Sequence, residues 1–323
     1  MTDPTPAPQW ERQVLERVAL RALDEQRRAR QWSALFKLLW LIFWFLVLAA
    51  WMGWIGRGEK DLAVSGRHTA LVDLDGVIAP EGQASADRII RGLDRAFKDP
   101  DTKGVVLRIN SPGGSPVQAG YIYDEMKRLR RKYPKIPLYA VVEDLCASGG
   151  YYVAAGADRI YVDKASLVGS IGVIISSFGF TGAMDKLGIE RRAYTAGDNK
   201  DFLDPFAPEN PEQRAHAQEM LEEIHQQFIK AVRDGRGSRL KETPEIFSGL
   251  VWTGERSVQL GLADAFGTAQ SVARDVIKAQ KIVDYTPEES VYETLSRRLG
   301  TTFGAAFARA AADTALRGAV QLR

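Results

Sequence analysis

The sequence predicts an α/β chain, with short buried strands alternating with helices around a largely parallel sheet, preceded by one transmembrane helix. Three observations carry this. Strand-length apolar runs such as GVVLRI (104–109) and RIYV (159–162) recur between helical patterns. Glycine-rich or polar turns close the runs, as βαβ units require. An eighteen-residue run without a charge, LLWLIFWFLVLAAWMGWI (38–55), lies near the N-terminus.

Composition bounds the function before any motif is read. The 323 residues are 45% apolar and 26% charged, ordinary for a globular protein and too apolar for wholesale disorder. With 43 basic and 41 acidic side chains the net charge is +2, which removes the electrostatic case for a dedicated nucleic-acid binder. One cysteine excludes an internal disulfide and a multi-thiolate metal site, and three histidines are few for a histidine-based mechanism. No cofactor is expected.

In chain order, residues 1–37 open Pro-rich and continue as a charged helical pattern from about Gln9, read as a solvated cytoplasmic segment. The run 38–55 extends roughly 27 Å as a helix, enough to cross a hydrocarbon core. Trp32, Trp40, Trp51 and Trp54 lie toward its ends, where indole rings favour the interface. The 37 preceding residues and the Trp-Met-Gly-Trp after Ala49-Ala50 argue for an uncleaved anchor over a signal peptide. Arg27, Arg28, Arg30 and Lys37 upstream outnumber Arg57, Lys60 and Arg67 downstream, which places the N-terminus in the cytoplasm and exports the rest.

A linker (56–66) leads to the main domain (67–285). There TALVDLD (69–75) alternates as a strand, and 85–97 has helical spacing with Ser85 as N-cap and Ile89, Ile90, Leu93 and Phe97 on one side. Strand 104–109, turn 110–115, helix 118–132 and strand 136–142 follow, then a helical segment after Ser148 and strand 159–162. A long polar helix runs from about 211 to 233 and breaks at Gly235 and Gly237; residues 286–323 read as a helical or flexible tail.

Two turns carry candidate chemistry because each follows a strand. In Asn110-Ser111-Pro112-Gly113-Gly114, paired glycines let backbone N–H groups face a ligand, as an oxyanion site needs; the same glycines also suit a turn made for sterics alone. In Ala147-Ser148-Gly149-Gly150 a serine begins a helix, as a nucleophile or as a plain cap. A serine nucleophile needs a base. His68 at the linker's edge and His216 and His225 on the polar helix read as surface residues. That points to a lysine, the Ser–Lys variant of the triad, which works in the neutral form that burial favours. Lys200 in GDNKDFLDPF (197–206) is the local candidate, set among apolar neighbours; a solvated loop lysine has the same sequence.

RINSPGG (108–114), ASGGYYVAAGAD (147–158) and GSIGV (169–173), in this order and spacing, resemble the SppA family of signal peptide peptidases in its short, single-copy form, over roughly residues 65–275. The resemblance implies a Clp-protease/crotonase-like fold of stacked ββα units whose homo-oligomers close into a dome or ring. It implies a membrane-anchored serine endopeptidase of the bacterial inner membrane that degrades remnant signal peptides. Ser148 would be the nucleophile, Lys200 the general base, and Ser170 the residue orienting the lysine. Gly113, Gly114 and Gly149 would line the oxyanion and substrate site, with the Ser148 N–H a further candidate donor, and the lysine could come from the neighbouring subunit. Two other readings share the motifs: a crotonase-type acyl-CoA enzyme, and an inactive membrane scaffold of the same fold.

Overall fold

The structure is a computed structural model that describes residues 28, 30–49 and 66–287 of the chain. Most of the N-terminal segment, the linker, Trp51, Trp54 and all but the first residues of the expected tail lie outside the described residues. α1 (Arg30–Ala49) is a 20-residue helix long and apolar enough to cross a membrane, beginning eight residues before the expected run. Its large side chains, from Trp32 to Leu48, are exposed.

A separate compact unit, Val64–Glu289, holds the α/β domain. Its first elements are β1 (His68–Asp75), α2 (Ala86–Lys98), β2 (Thr102–Ser111), α3 (Pro116–Lys132), β3 (Leu138–Ala147), α4 (Gly149–Ala154) and β4 (Arg159–Val162). β5 (Leu167–Gly169), α5 (Thr181–Leu187), α6 (Pro211–Arg236), β6 (Val251–Thr253), α7 (Gly254–Gln259), β7 (Ala265–Phe266) and β8 (Ile282–Asp284) follow. The sheet runs β6-β5-β3-β2-β1-β8, with β4 beside the first half of β3 and β7 beyond it. The β1–β2, β2–β3, β3–β4, β3–β5, β4–β7 and β1–β8 pairs are parallel, and β5–β6 is antiparallel. This is the α/β class that the alternation of strands and helices predicts.

Period-two alternation gives each strand two faces. Val72 and Leu74, Leu107 and Ile109, and Ala140 and Val142 face the main core with Ile89 and Leu93 of α2 and Ile122, Met126 and Leu129 of α3. Leu71, Val106, Val141 and Tyr161 form a smaller cluster under Ala269 and Val272 on the opposite face. The helices are capped as their sequences suggest. Ser115 Oγ accepts the Gln118 N–H at 3.3 Å with Pro116 at the first position, and Asn210 Oδ1 accepts the Glu212 N–H at 2.9 Å ahead of Pro211. Ser85 occupies the cap position of α2, but its side chain caps nothing.

One buried ion pair ties the far end of α6 to the sheet. Arg236, 1% exposed, donates from Nη1 to Asp264 at 2.8 Å and from Nε to the Gly261 carbonyl at 2.8 Å. Burial raises the Asp264 carboxyl pKa. The hydrogen bond and charge of Arg236, the Ile160 N–H and Arg239 outweigh that and hold it below the usual carboxylate range.

Candidate active site

Parallel pairing gathers the candidate residues at the edge where strands end. Cys146 pairs with Val168 and Ala147 with Gly169, so the next residues, Ser148 and Ser170, leave β3 and β5 side by side. Both have φ of +51°, a left-handed conformation that side chains other than glycine adopt only under local constraint. The constraints are visible: the Ser148 N–H donates to the Gly169 carbonyl at 2.8 Å, the Ser170 N–H to the Leu250 carbonyl at 2.8 Å, and the Ser148 carbonyl accepts the Tyr152 N–H at 3.0 Å. Each serine is half-buried; Ser148 leads into α4 and Ser170 into an irregular segment. Beneath them Cys146 is fully buried, and burial pushes its thiol pKa far up, so it is not a competing nucleophile.

The glycine turn after β2 lies directly against Ser148. A Cβ built on Gly113 would stand 2.6 Å from the Gly149 nitrogen and 2.8 Å from Ser148 Cβ, so only a glycine fits at φ +95°. Gly114 is locked from its other side: a Cβ there would meet the Ile78 carbonyl oxygen at 2.1 Å. The Ile78 N–H donates to the Gly113 carbonyl at 2.8 Å and its carbonyl accepts the Ser115 N–H at 2.8 Å, clamping the turn. Ser111 Oγ donates to the Gly76 carbonyl at 2.6 Å and accepts the Gly113 N–H at 3.1 Å.

These bonds sort the donors. The Gly113 N–H is taken by Ser111, and the Ser148 N–H, expected as a possible oxyanion donor, is taken by Gly169. Gly114 and Gly149 keep N–H groups with no acceptor among the described residues, and a Cβ on Gly149 would lie 3.3 Å from the Gly114 nitrogen. Two adjacent free donors beside Ser148 can hold an oxyanion. Ser111 and Ile78, which fix that turn, were not expected; Ser111 is visible in the sequence as the hydroxyl inside the NSPGG turn, Ile78 carries no such signal.

Lys200 sits in the loop between α5 and α6. Its N–H donates to the Gly197 carbonyl at 3.1 Å, its side chain is exposed, and no hydrogen bond or ion pair among the described residues reaches its ammonium group. The burial that a neutral lysine needs is not supplied by the described residues. The loop itself is held: Gln213 of α6 donates to Asn199 and Asp201 at 3.3 Å, Phe180 stacks on Phe206 at 5.3 Å, and Arg191 pairs with Asp204. Around it Ile174, Phe178, Leu187 and Tyr194 are 73–93% exposed, an unusual density of uncovered apolar groups.

Of the three histidines, all expected at the surface, one is exposed, one packs beside the β5 turn and one is buried, so two expectations are corrected. His216 is exposed, and His225 Nε2 lies 3.2 Å from the Ile171 carbonyl. His68, expected at the surface, is fully buried. Its Nε2 lies 3.0 Å from the Tyr285 hydroxyl and 3.2 Å from Thr102 Oγ1, and Tyr285 in turn donates to Asp99 at 2.5 Å. Thr102 on the neighbouring strand and Tyr285, 217 positions downstream, supply that cover, which local reading does not foresee. His68 begins β1, at the sheet edge opposite Ser148.

Residues 130–283 match the family model described as "Peptidase family S49". A protein of Enterococcus faecium named "Putative signal peptide peptidase SppA" is 30% identical over 238 residues, 71% of this chain and 69% of that protein. A Methanocaldococcus jannaschii protein named as a "Putative protease" is 35% identical over 221 residues, 67% of this chain and 70% of that one. A Brucella abortus protein named "Na(+)/H(+) antiporter NhaA" is 45% identical over 182 residues, 56% of this chain; the chain spans only 25% of that much longer protein.

Proposed function

The chain belongs to peptidase family S49, a family of serine-type proteases, and from that premise we propose that it is a membrane-anchored endopeptidase using a Ser148–Lys200 dyad on remnant signal peptides and other apolar peptides. The observation that carries this reading is the grouping of Ser148, Ser170 and the unpaired Gly114 and Gly149 N–H groups at one strand edge. Neutral Lys200 Nζ takes the Ser148 proton as Oγ attacks a peptide carbonyl carbon. The Gly114 and Gly149 N–H groups hold the resulting oxyanion, and the lysine passes the proton to the departing amine. The same lysine then activates the water that releases the acyl group. Ser170 orients the lysine, and α1 serves as the bilayer anchor, with the N-terminus in the cytoplasm and the domain exported.

The exposed position of Lys200 supports a dyad completed in a homo-oligomer. A second copy packed on the apolar residues from Ile174 to Tyr194 would exclude water from that loop, bury the lysine and favour its neutral form. The test is labelling by a serine-directed fluorophosphonate alongside cleavage of an apolar peptide. Both are expected in the wild type, labelling is lost in Ser148→Ala, and cleavage falls several orders of magnitude in Lys200→Ala. Near-normal cleavage by Lys200→Ala removes the lysine from the mechanism. Acyl-CoA turnover with no labelling favours the crotonase-type reading, and neither activity favours the scaffold.

A further inference from the structure

Parallel strands give the sheet two unlike edges. Ser148 and Ser170 lie where strands end. At the other edge the register sets the starts of β1 to β4 side by side: His68 pairs with Thr102, Val105 with Leu138, and Tyr139 with Arg159. α2 and α3 return antiparallel to the strands, so their last turns arrive at this same edge. There residues 127–135 read KRLRRKYPK, six cations without an acid.

The cluster borders a cavity of about 610 Å³ whose charged lining is Lys127, Arg130, Arg131, Asp158 and Arg159. Its one carboxylate is occupied, because Asp158 accepts from Arg130 at 2.8 Å and from the Leu138 N–H at 2.8 Å. Other carboxylates of this edge are engaged too: Asp94 and Glu125 pair with Lys98 and Arg128, and Asp99 takes the Tyr285 hydroxyl. Lys127 and Lys132 lie over the rings of Tyr123 and Tyr133 at 5.9 and 5.1 Å. Arg131, Lys135 and Arg159 are exposed and have no carboxylate partner among the described residues. Cations on the last turn of α3 complement its carbonyl end, which accounts for Arg130, Arg131 and Lys132. It does not account for Lys135, beyond the helix, or Arg159, on a strand.

We infer that this basic edge docks on anionic phospholipid headgroups of the bilayer that α1 enters. The inference rests on the reading of α1 as an anchor. Two facts support this occupant, and the second selects it over other polyanions. The first is charge complementarity at an edge the proposed catalysis does not use. The second is connectivity: the chain enters the domain at this edge, where the Gly66 N–H bonds Asp101 at 3.1 Å beside His68. Sixteen residues separate Ala49 from Gly66. Fully extended, that many residues reach at most roughly 60 Å, a length that permits contact between this edge and the headgroups.

The experiment uses the full chain in nanodiscs of phosphatidylcholine alone or with one third phosphatidylglycerol, carrying an environment-sensitive fluorophore on Lys135→Cys; Cys146 is buried and stays unlabelled. Expected is a blue-shifted emission and a roughly tenfold slower tryptic cut near Arg131 in the phosphatidylglycerol discs. Both effects vanish in high salt and in Arg131→Glu/Arg159→Glu, whose hydrolysis of a short soluble peptide stays at the wild-type rate. Equal emission and proteolysis in the two discs, or effects that survive the charge reversal, overturn the inference. So does charge-sensitive binding of a duplex oligonucleotide without a lipid effect, which makes the edge a nucleic-acid surface. Failure of the chain to enter phosphatidylcholine discs refutes the anchor instead; salt-sensitive binding of that chain to phosphatidylglycerol vesicles then still supports the basic edge, and its absence overturns it.

Discussion

Gly113→Ala tests the packing of the oxyanion turn against Ser148 while every proposed reacting residue is retained. The new Cβ would stand 2.6 Å from the Gly149 nitrogen, 2.8 Å from the Ala147 oxygen and 2.8 Å from Ser148 Cβ. Ordinary contact begins near 3.4 Å, so the β2 turn and the start of α4 must part by several tenths of an ångström. A side chain at φ +95° costs about 1–3 kcal/mol and the overlap about 1–3 kcal/mol more. Thermal unfolding of the variant is therefore expected roughly 5–20 °C below wild type for a domain of this size. The displaced Gly149 and Gly114 N–H groups no longer meet the oxyanion together, and losing one such donor lowers kcat about 10²–10³-fold. Gly76→Ala is the control. Its φ is +85° with nothing within 4 Å of the added carbon, so it carries the backbone strain without the wedge. Peptide cleavage and thermal melts of the two variants separate the effects. A Gly113→Ala enzyme with wild-type kcat, or a Gly76→Ala enzyme equally impaired in kcat, refutes the reasoning.

Three further outcomes are expected. Ser148→Gly abolishes cleavage yet melts about 2–6 °C above wild type, because glycine accepts φ +51° at no steric cost; an unchanged or lower melting temperature contradicts the strain. Mixing inactive Ser148→Ala with inactive Lys200→Ala restores a fraction of cleavage if the dyad forms between copies, and none if it forms within one. Asp264→Asn leaves the buried Arg236 without its counter-charge, lowering stability by about 3 kcal/mol at pH 7, or roughly 6–12 °C. Because the folded Asp264 pKa is depressed, its contribution is fully present above the unfolded value of about 3.9 and fades as pH falls through the folded one. The gap between wild type and variant, read by thermal melts, therefore closes below about pH 4.

Much of the scaffold is legible in the sequence because its signals are local. Residues 159–162 form the strand that RIYV announces, and Pro116 and Pro211 mark the first turns of α3 and α6. What stays hidden depends on distant partners. β3 continues past Val142 through Glu143 and Asp144, polar residues that end any alternation, because β5 pairs with its far half. β5 and β6 are three residues each, too short for a periodic signal. The candidate site divides likewise. Glycine motifs point to the turns, but the pairing register sets Ser170 beside Ser148, and the bonds to Ser111 and Gly169 determine which N–H groups remain free. Lys200 is legible as a residue and not as an environment, since its side chain finds no cover among the described residues.

The two serines with positive φ also shape how such a gene can decay. At most active sites a first inactivating change costs stability or leaves it alone; here replacement of either serine by glycine relaxes the backbone while every neighbouring bond to the main chain persists. A duplicated copy released from selection for turnover therefore drifts downhill into a well-folded, catalytically silent protein with the same exterior. Under the proposed roles of Ser148 and Ser170, lineages carrying such copies keep the fold and lose the chemistry, and a glycine at either position marks them.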